Sequence, residues 1–407
     1  MEGKALTEPR DAVDRSLYNR MSVVTHVVIV LYSTAFWIQT GALPFLSKKL
    51  GADPVTFGYL ETVFAVAMLV GGPIFGRFGD LFGARAALVL ALLSSFLTYA
   101  VLAMADGIFA LFCSRLFGFM MHALHGSQMV MTDVTGQKER AGALGRLGVS
   151  YGVGMVVGPI LGGYVSTYSG EQSAAAMAAL LCLVPIAVVV LFVPRSTKTQ
   201  EPKAAQNGYD GGVFDFQAIF ELLRIPGVMQ LIVLKTLIGV PAGVYHSMFT
   251  MVNMERFQLT PEINGKLLSF VGVLTIVMQG FGAGYIASKL QDNVILKMSL
   301  VTLTITYLLL SFTDTLLFLC LVMVPMVMAG SLINVIITSA MTKIVPSSTT
   351  GTSLGLSMAT HSLIRTTSPS LGGYMYATFG YPSFGVFGAL LSGGLALQML
   401  VSRTLHV

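Results

Sequence analysis

The decapeptide GRFGDLFGAR, residues 76–85, lies between two apolar runs long enough to cross a membrane. A charged, Gly-rich turn with no soluble-domain neighbour belongs where two antiparallel spans exchange sides of the bilayer. Working outward from it, twelve apolar stretches fall at 22–44, 55–75, 86–105, 108–131, 142–166, 174–194, 228–252, 265–287, 294–313, 315–341, 352–378 and 382–402. A hydrocarbon core about 30 Å thick needs roughly 20 apolar residues of helix, and most of the runs meet that length. The expected fold class is an all-α membrane protein of twelve transmembrane helices, numbered here as spans 1 to 12.

Composition agrees. A mean hydropathy of +0.77, with 54% hydrophobic and 11% charged residues, excludes an ordinary soluble domain, in which about 25% of residues are charged. Twelve spans in 407 residues leave no room for an extramembrane catalytic domain. The net charge of +5 is dispersed over short loops, so it is no nucleic-acid footprint. There is no GxxxxGK[ST] pattern, no metal-spaced His/Cys cluster and no Ser/His/Asp set, so neither an enzyme nor a primary pump is expected, and no cofactor or metal. Cys113, Cys182 and Cys320 fall inside apolar runs and read as small core residues. Met1 to Arg20 is polar and mixed in charge, so no cleavable signal is expected ahead of span 1.

Charge sets the expected orientation. With the N-terminus inside, the cytoplasmic loops hold Arg10, Arg15, Arg20, Arg77, Arg85, Lys138, Arg140, Arg195, Lys198, Lys203, Arg224 and Lys289, against Lys48, Lys49 and Arg256 outside. Both termini are therefore expected in the cytoplasm, in a multi-pass protein of the plasma membrane or an endomembrane. The expected division is a cytoplasmic N-terminus (1–21), a six-helix bundle (22–194), a cytoplasmic linker (195–227), a second six-helix bundle (228–402) and a cytoplasmic C-terminus (403–407). The linker opens as a polar, disordered-type stretch and closes with VFDFQAIFELLR (213–224), whose apolar spacing predicts a helix on the inner membrane surface.

An internal repeat supports the division. In one ungapped register Met131-Thr132 recurs as Met341-Thr342, Leu144-Gly145 as Leu354-Gly355, and Gly170 as Gly380. Pro159-x-Leu161-Gly162-Gly163-Tyr164 likewise recurs as Pro369-x-Leu371-Gly372-Gly373-Tyr374. Two parallel six-helix repeats are the architecture of a carrier that rocks about a site between its halves.

Within the decapeptide, Gly76 and Gly83 are expected to let the backbone turn tightly, and Asp80 to accept hydrogen bonds from Arg85 and a nearby helix N-terminus. Span 5 carries Gly145, Gly154, Gly158, Pro159, Gly162 and Gly163. Glycines at this spacing give a bare helix face that a neighbour approaches closely, here expected to be span 8, and Pro159 kinks the helix.

Ionisable residues at membrane depth are costly and are functional candidates by default. Arg115, His122, His125 and Gln128 line one side of span 4. Ser357, His361, Arg365 and Ser368 share a face of span 11. Lys235 in span 7 and Asn334 in span 10 join them, and Glu61 in span 2 is the acid expected well inside the bilayer. Arg115 and Arg365 either line a central cavity with His122 and His361 or pair structurally with backbone carbonyls and helix C-termini. His246, Lys266 and Arg146 are expected near span ends, where long side chains snorkel.

These motifs resemble the major facilitator superfamily. GRFGDLFGAR is similar to its loop 2/3 signature, and the span 5 string resembles that of its twelve-helix antiporter branch, which includes the tetracycline–proton exchangers. From Met21 to Leu400 the chain is similar to a solute-carrier family described as organic-cation carriers with proton exchange, through runs such as LPFLSKKLG (43–51), GGPIFGRFGD (71–80), GARAAL (83–88), AGALGRLG (141–148) and LIRTTSPSLGG (363–373). The resemblance implies two six-helix bundles, alternating access, a small organic solute, protons as coupling ion and a monomer in the bilayer. It implies a cytoplasmic gate of Gly76, Asp80, Gly83, Arg85, Asp133 and Arg140 closing on the start of span 11, a span 5 hinge, and a buried arginine, Arg115, tied to proton coupling. The chain departs from the pattern at Leu81 and Ala84, where the signature is basic, at Gly118, one residue early after Arg115, and in span 1, which lacks an acid. The intramembrane charge leans positive, with Arg115, Lys235 and Arg365 against Glu61, which favours an anionic or zwitterionic solute. A lipid-handling protein and a non-transporting scaffold or receptor are alternatives on the same fold.

Overall fold

Asp53-Pro54 and Thr260-Pro261 start two of the helices in the same way. Proline fits the first helical turn, where its missing N–H has no partner to lose. The preceding side chain accepts a free backbone N–H: Asp53 Oδ1 from Thr56 at 2.7 Å, and Thr260 Oγ1 from Ile263 at 3.4 Å. Hydrogen bonds from the Thr56 side chain and backbone hold the Asp53 carboxyl below its ordinary pKa. Glycines close three other helices with positive φ, at Gly83 (86°), Gly170 (90°) and Gly380 (72°).

The computed structural model describes residues 15–195, 197, 221–345 and 350–401. Its spans run Arg15–Lys49, Pro54–Phe82, Ala84–Ala103, Ile108–Asp133, Gln137–Ser169 and Glu171–Phe192 in the first half. In the second half they run Val228–Phe257, Pro261–Lys289, Asp292–Ser311, Leu316–Ile344, Thr350–Phe379 and Pro382–Val401. Eleven helices among the described residues are long and apolar enough to cross a membrane. Span 11, with 30 residues, has the length without the hydropathy. Its Ser, Thr, Gly, His and Arg residues suit a helix that lies between spans 2 and 7.

Within the first half, span 1 packs on spans 5 and 6, and span 3 on span 6, around Met21, Ile29, Tyr32, Leu88, Leu92 and Tyr99. In the second half span 9 packs on spans 10 and 12, and span 7 on span 11, around Leu296, Leu300, Tyr307, Ile337 and Phe384. This second core is continuous with Leu43, Leu46, Phe57 and Leu60 of spans 1 and 2. The halves are thus pressed together at the end opposite the linker, the far side.

Three local features differ from expectation. Span 4 is broken: an α-helix to Leu116, a 3₁₀ turn Phe117–Met120, and a new helix from Ala123. Irregular backbone survives at membrane depth only where its groups find partners. Here Ser94 Oγ donates to the Phe117 carbonyl, and Tyr32 Oη to that of Met121 at 3.2 Å. Span 8 contains a π-helical stretch, Met278–Gly282, a common site of local irregularity. Gly76 is no turn residue, because span 2 runs through it to Phe82 and only Gly83 turns. Of the expected surface helix 213–224, residues 213–220 lie outside the described residues, and its end, from Glu221, places Leu222 against Val228 and Val345.

Gly71 lets span 2 cross the broken backbone of span 4. A Cβ there would collide with the Phe119 carbonyl, whereas one on Gly76 meets nothing within 4 Å. Gly71→Ala is therefore expected to cost about 1–3 kcal/mol of stability, seen as a lower melting temperature in detergent. Gly76→Ala should melt at or slightly above wild type, since alanine is the better helix former.

Candidate functional site

Four spans carry the contact between the halves: span 2 against span 11, and span 5 against span 8. At the far side these crossings are backbone on backbone. A Cβ on Gly58 would sit 2.5 Å from the Pro369 carbonyl oxygen, and one on Gly373 2.5 Å from that of Pro54. The repeat reproduces the pair: Gly265 abuts the Pro159 carbonyl, and a Cβ on Gly163 would lie 2.6 Å from that of Pro261. Thr62 and Ser370 share a 2.7 Å hydrogen bond, Ser269 Oγ donates to the Val156 carbonyl at 2.5 Å, and Lys48 pairs with Glu255 at 3.3 Å. Toward the linker side the same four spans diverge, and Gly76, Gly145, Gly284 and Gly355 have open space beside them. Between the halves lies a cleft that is shut at the far side and open at the linker side.

The span 5 string divides its work differently from the expectation. Gly154, Gly158 and Gly162 face span 1 of their own half, not span 8. Gly154 abuts Ser33, while a Cβ on Gly158 would lie 2.7 Å from the Thr34 carbonyl and one on Gly162 2.9 Å from that of Ile38. Pro159 and Gly163, on the adjacent side of the helix, take span 8. Gly145 touches neither, being on the open side.

Arg365 projects into the cleft. It is exposed, and its Nη2 reaches Met68 Sδ of span 2, in the other half, at 3.7 Å. Its charge acts on Tyr32 of span 1, His122 of span 4, Tyr151 of span 5, His246 of span 7 and His361 of span 11. Its contact with Met68 places it between spans 2 and 11, and so between the halves. His361, one helical turn away, also feels Lys235, whose Nζ donates to Ser357 Oγ across spans 7 and 11. His246 corrects the sequence expectation: it lies eleven residues before the end of span 7, within the field of Arg365 and His361, rather than snorkelling at a span end. Only tertiary structure reveals this, because nothing in the sequence around it marks a functional histidine. Gln128 is half-buried on span 4 and Asn334 exposed on span 10, and no hydrogen bond ties either side chain to this cluster among the described residues.

Arg115 is set apart. Only 1% exposed, it is sealed inside the first half, with its guanidinium carbon 5.3 Å from the Phe64 ring centroid. Its Nε and Nη2 find no hydrogen-bond partner, and the acid that acts on it is the half-buried Glu61, one turn before Phe64. A buried charge with unmet donors is costly, and the aromatic face offsets only part of that cost. His122, at the break of span 4, is buried between Phe75 at 5.4 Å and His125 at 5.6 Å between ring centroids. The four residues expected to share one cavity therefore split, with Arg365 and His361 in the cleft and Arg115 and His122 in the wall of the first half.

The expected gate residues stand apart in this open-sided state. Asp80 is exposed and makes no ion pair among the described residues. Arg85 donates to the Val190 carbonyl at the end of span 6, at 2.6 Å, instead of to Asp80. Asp133 accepts from Thr197. Arg140 reaches the Thr132 and Thr135 carbonyls at 3.4 and 3.5 Å, capping the end of span 4.

Residues 25–365 match the family model described as Major Facilitator Superfamily. The chain is 38% identical over 369 residues to solute carrier family 22 member 18 of Mus musculus, covering 89% of this chain and 91% of that protein. It is 39% identical over 380 residues to solute carrier family 67 member A1 of Homo sapiens, covering 91% and 90%. Among solved structures, the human organic anion transporter MFSD10 (TETRAN) has the same fold, with a TM-score of 0.63 at 20% identity over 97% of this chain and 100% of that one.

Side chains at the crossings should hold the far side open. In a background with Cys113, Cys182 and Cys320 replaced, His246→Cys is expected to react slowly with a membrane-impermeant maleimide added from the far side. Adding Gly58→Leu or Gly265→Leu should raise that rate at least about tenfold, because each leucine collides with backbone that cannot yield. Gly76→Leu, which meets open space, should leave it unchanged.

Proposed function

We propose that this chain, which belongs to the major facilitator superfamily, is a secondary transporter that moves a small anionic or zwitterionic solute by alternating access. The observation that carries the substrate reading is the charge of the cleft. Arg365, Lys235, His361 and His246 act on one another there, while Glu61 of span 2 acts on the sealed Arg115. Opposite unit charges about 4 Å apart attract by about 4 kcal/mol at an effective dielectric constant of 20. The same field opposes a cation by a similar amount. Among the described residues, no carboxylate joins the Arg365, Lys235, His361 and His246 cluster to meet the organic cation suggested by family resemblance.

In this reading the linker side is the cytoplasm, both termini are cytoplasmic and the structure is inward-open. A solute entering from that side passes Lys235 at Ser357 and then His361, and meets Arg365, about two turns deeper on span 11, as a bidentate anion ligand. Closure brings Asp80, Arg85, Asp133 and Arg140 onto the start of span 11, while the glycine crossings and Lys48–Glu255 separate on the other side. Protons are the coupling ion. An imidazole can carry or release a proton without leaving its place in the packing, so His361 and His246 are the groups that exchange a proton with whichever side the cleft faces. The whole pathway lies within one chain, which works as a monomer. MFSD10, which shares the fold, is an organic anion transporter, in line with this substrate class.

The deciding experiment is uptake into proteoliposomes of anionic, zwitterionic and cationic solutes, with and without a pH gradient. Anion or zwitterion uptake driven by the gradient is expected. Arg365→Ala should lower it about 10- to 100-fold, the worth of a hydrogen bond to a charged group. His361→Gln should flatten its pH dependence. Uptake of cations alone by wild type, increased in Arg365→Ala, would make the arginine a selectivity barrier and overturn the substrate reading.

A further inference from the structure

The start of span 3 lines a groove on the linker side, where Arg85, assigned above to the closing network, is bonded to span 6. Arg85, Val89, Leu90 and Leu93 lie on one side of the helix and, with Phe82 and Arg195, line a groove of about 490 Å³ on the linker side. One of its two cations is held by a hydrogen bond, and the other is set by its backbone. The hydrogen bond from Arg85 Nη2 to the Val190 carbonyl orients the guanidinium and leaves its other N–H groups free. The backbone of Arg195 lies against the turn at Gly83, where an added Cβ would be 3.8 Å from the Arg195 carbonyl oxygen. Neither arginine makes an ion pair among the described residues, and neither does the neighbouring acid, Asp80, which is exposed.

Depth gives the groove its meaning. Arg85 is the second residue of span 3, and Arg195 follows the end of span 6 by three residues, so both sit where helices leave the hydrocarbon. From Arg85 the apolar trough runs two turns inward to Leu93, about 12 Å along the helix. Leu93 is 41% and Phe82 62% exposed, so the trough opens sideways to the bilayer. We propose that this groove binds an anionic phospholipid of the linker-side leaflet, its phosphate between Arg85 and Arg195 and an acyl chain along Val89, Leu90 and Leu93. A soluble phosphate gains the arginines but not the trough. A phosphatidylcholine adds a quaternary ammonium next to two guanidinium groups, which disfavours it. The bound lipid rests against the turn that joins spans 2 and 3, and thereby against the decapeptide.

The test uses the full chain in nanodiscs of phosphatidylcholine alone or with phosphatidylglycerol, with retained lipid read by native mass spectrometry. Wild type is expected to retain phosphatidylglycerol selectively. Arg195→Gln should weaken retention about fivefold and Arg85→Gln with Arg195→Gln about 25-fold, while phosphatidylcholine retention stays constant. Arg195 is exposed and makes no hydrogen bond among the described residues, so the single variant decides the matter if the double variant does not fold. Retention of phosphatidylglycerol by the variants at the wild-type level would overturn the proposal. So would its complete displacement by millimolar inorganic phosphate, since the acyl chain would then contribute nothing.

Discussion

The two halves of this protein meet on bare backbone rather than through interlocked side chains. Gly58, Gly163, Gly265 and Gly373 each leave a helix with nothing between its Cα and a carbonyl of the opposing span. The opposing carbonyls belong to Pro54, Pro159, Pro261 and Pro369. In a bilayer there is no hydrophobic force between helices, so close packing of small residues and a few hydrogen bonds must supply the attraction. The polar ties at the far side are correspondingly few among the described residues: Thr62 to Ser370, Ser269 to a span 5 carbonyl, the Glu262 N–H to Thr167 Oγ1, and Lys48 to Glu255. An interface of this kind is tight without being deeply interdigitated, and it fixes which end of the cleft is shut.

The position of the charges follows from the same arrangement. Spans 2 and 5 cross spans 11 and 8 at the far side, so the space enclosed lies behind those crossings, where Arg365, His361, Lys235 and His246 come together. Span 11 is the least apolar of the twelve because it is the wall of that space. Arg115 obeys a different constraint. The backbone of span 4 breaks directly after it, and Gly71 must pass the broken segment at collision distance. The arginine is thereby enclosed against Phe64, within the field of Glu61. One positive charge faces the cleft and the other is enclosed in the first half.

Much of this was legible in the residues. Apolar runs of sufficient length, the 76–85 turn and the PxLGGY repeat determined twelve helices in two related halves, because hydrocarbon thickness and internal repetition act on sequence directly. The proline–glycine strings also marked the spans that would cross. Their partners were not legible. Glycines Gly154, Gly158 and Gly162 share a string with Pro159 and Gly163, yet a rotation of a fraction of a turn sends the first three to span 1 and the last two to span 8. Helical spacing defines a face but not what approaches it.

Tertiary structure alone decided the rest. Arg115 and Arg365 look alike as intramembrane cations, and only the packing around them separates a sealed charge from one open to the cleft. His246 carried no local mark, because its importance comes from the field of residues on span 11. The break in span 4 was equally hidden, since Tyr32 and Ser94, which satisfy its carbonyls, come from distant parts of the chain. Sequence determined the helices because each answers to the bilayer on its own. The site belonged to the tertiary structure because it is made of distances between helices, and those are set by which backbones are bare enough to touch.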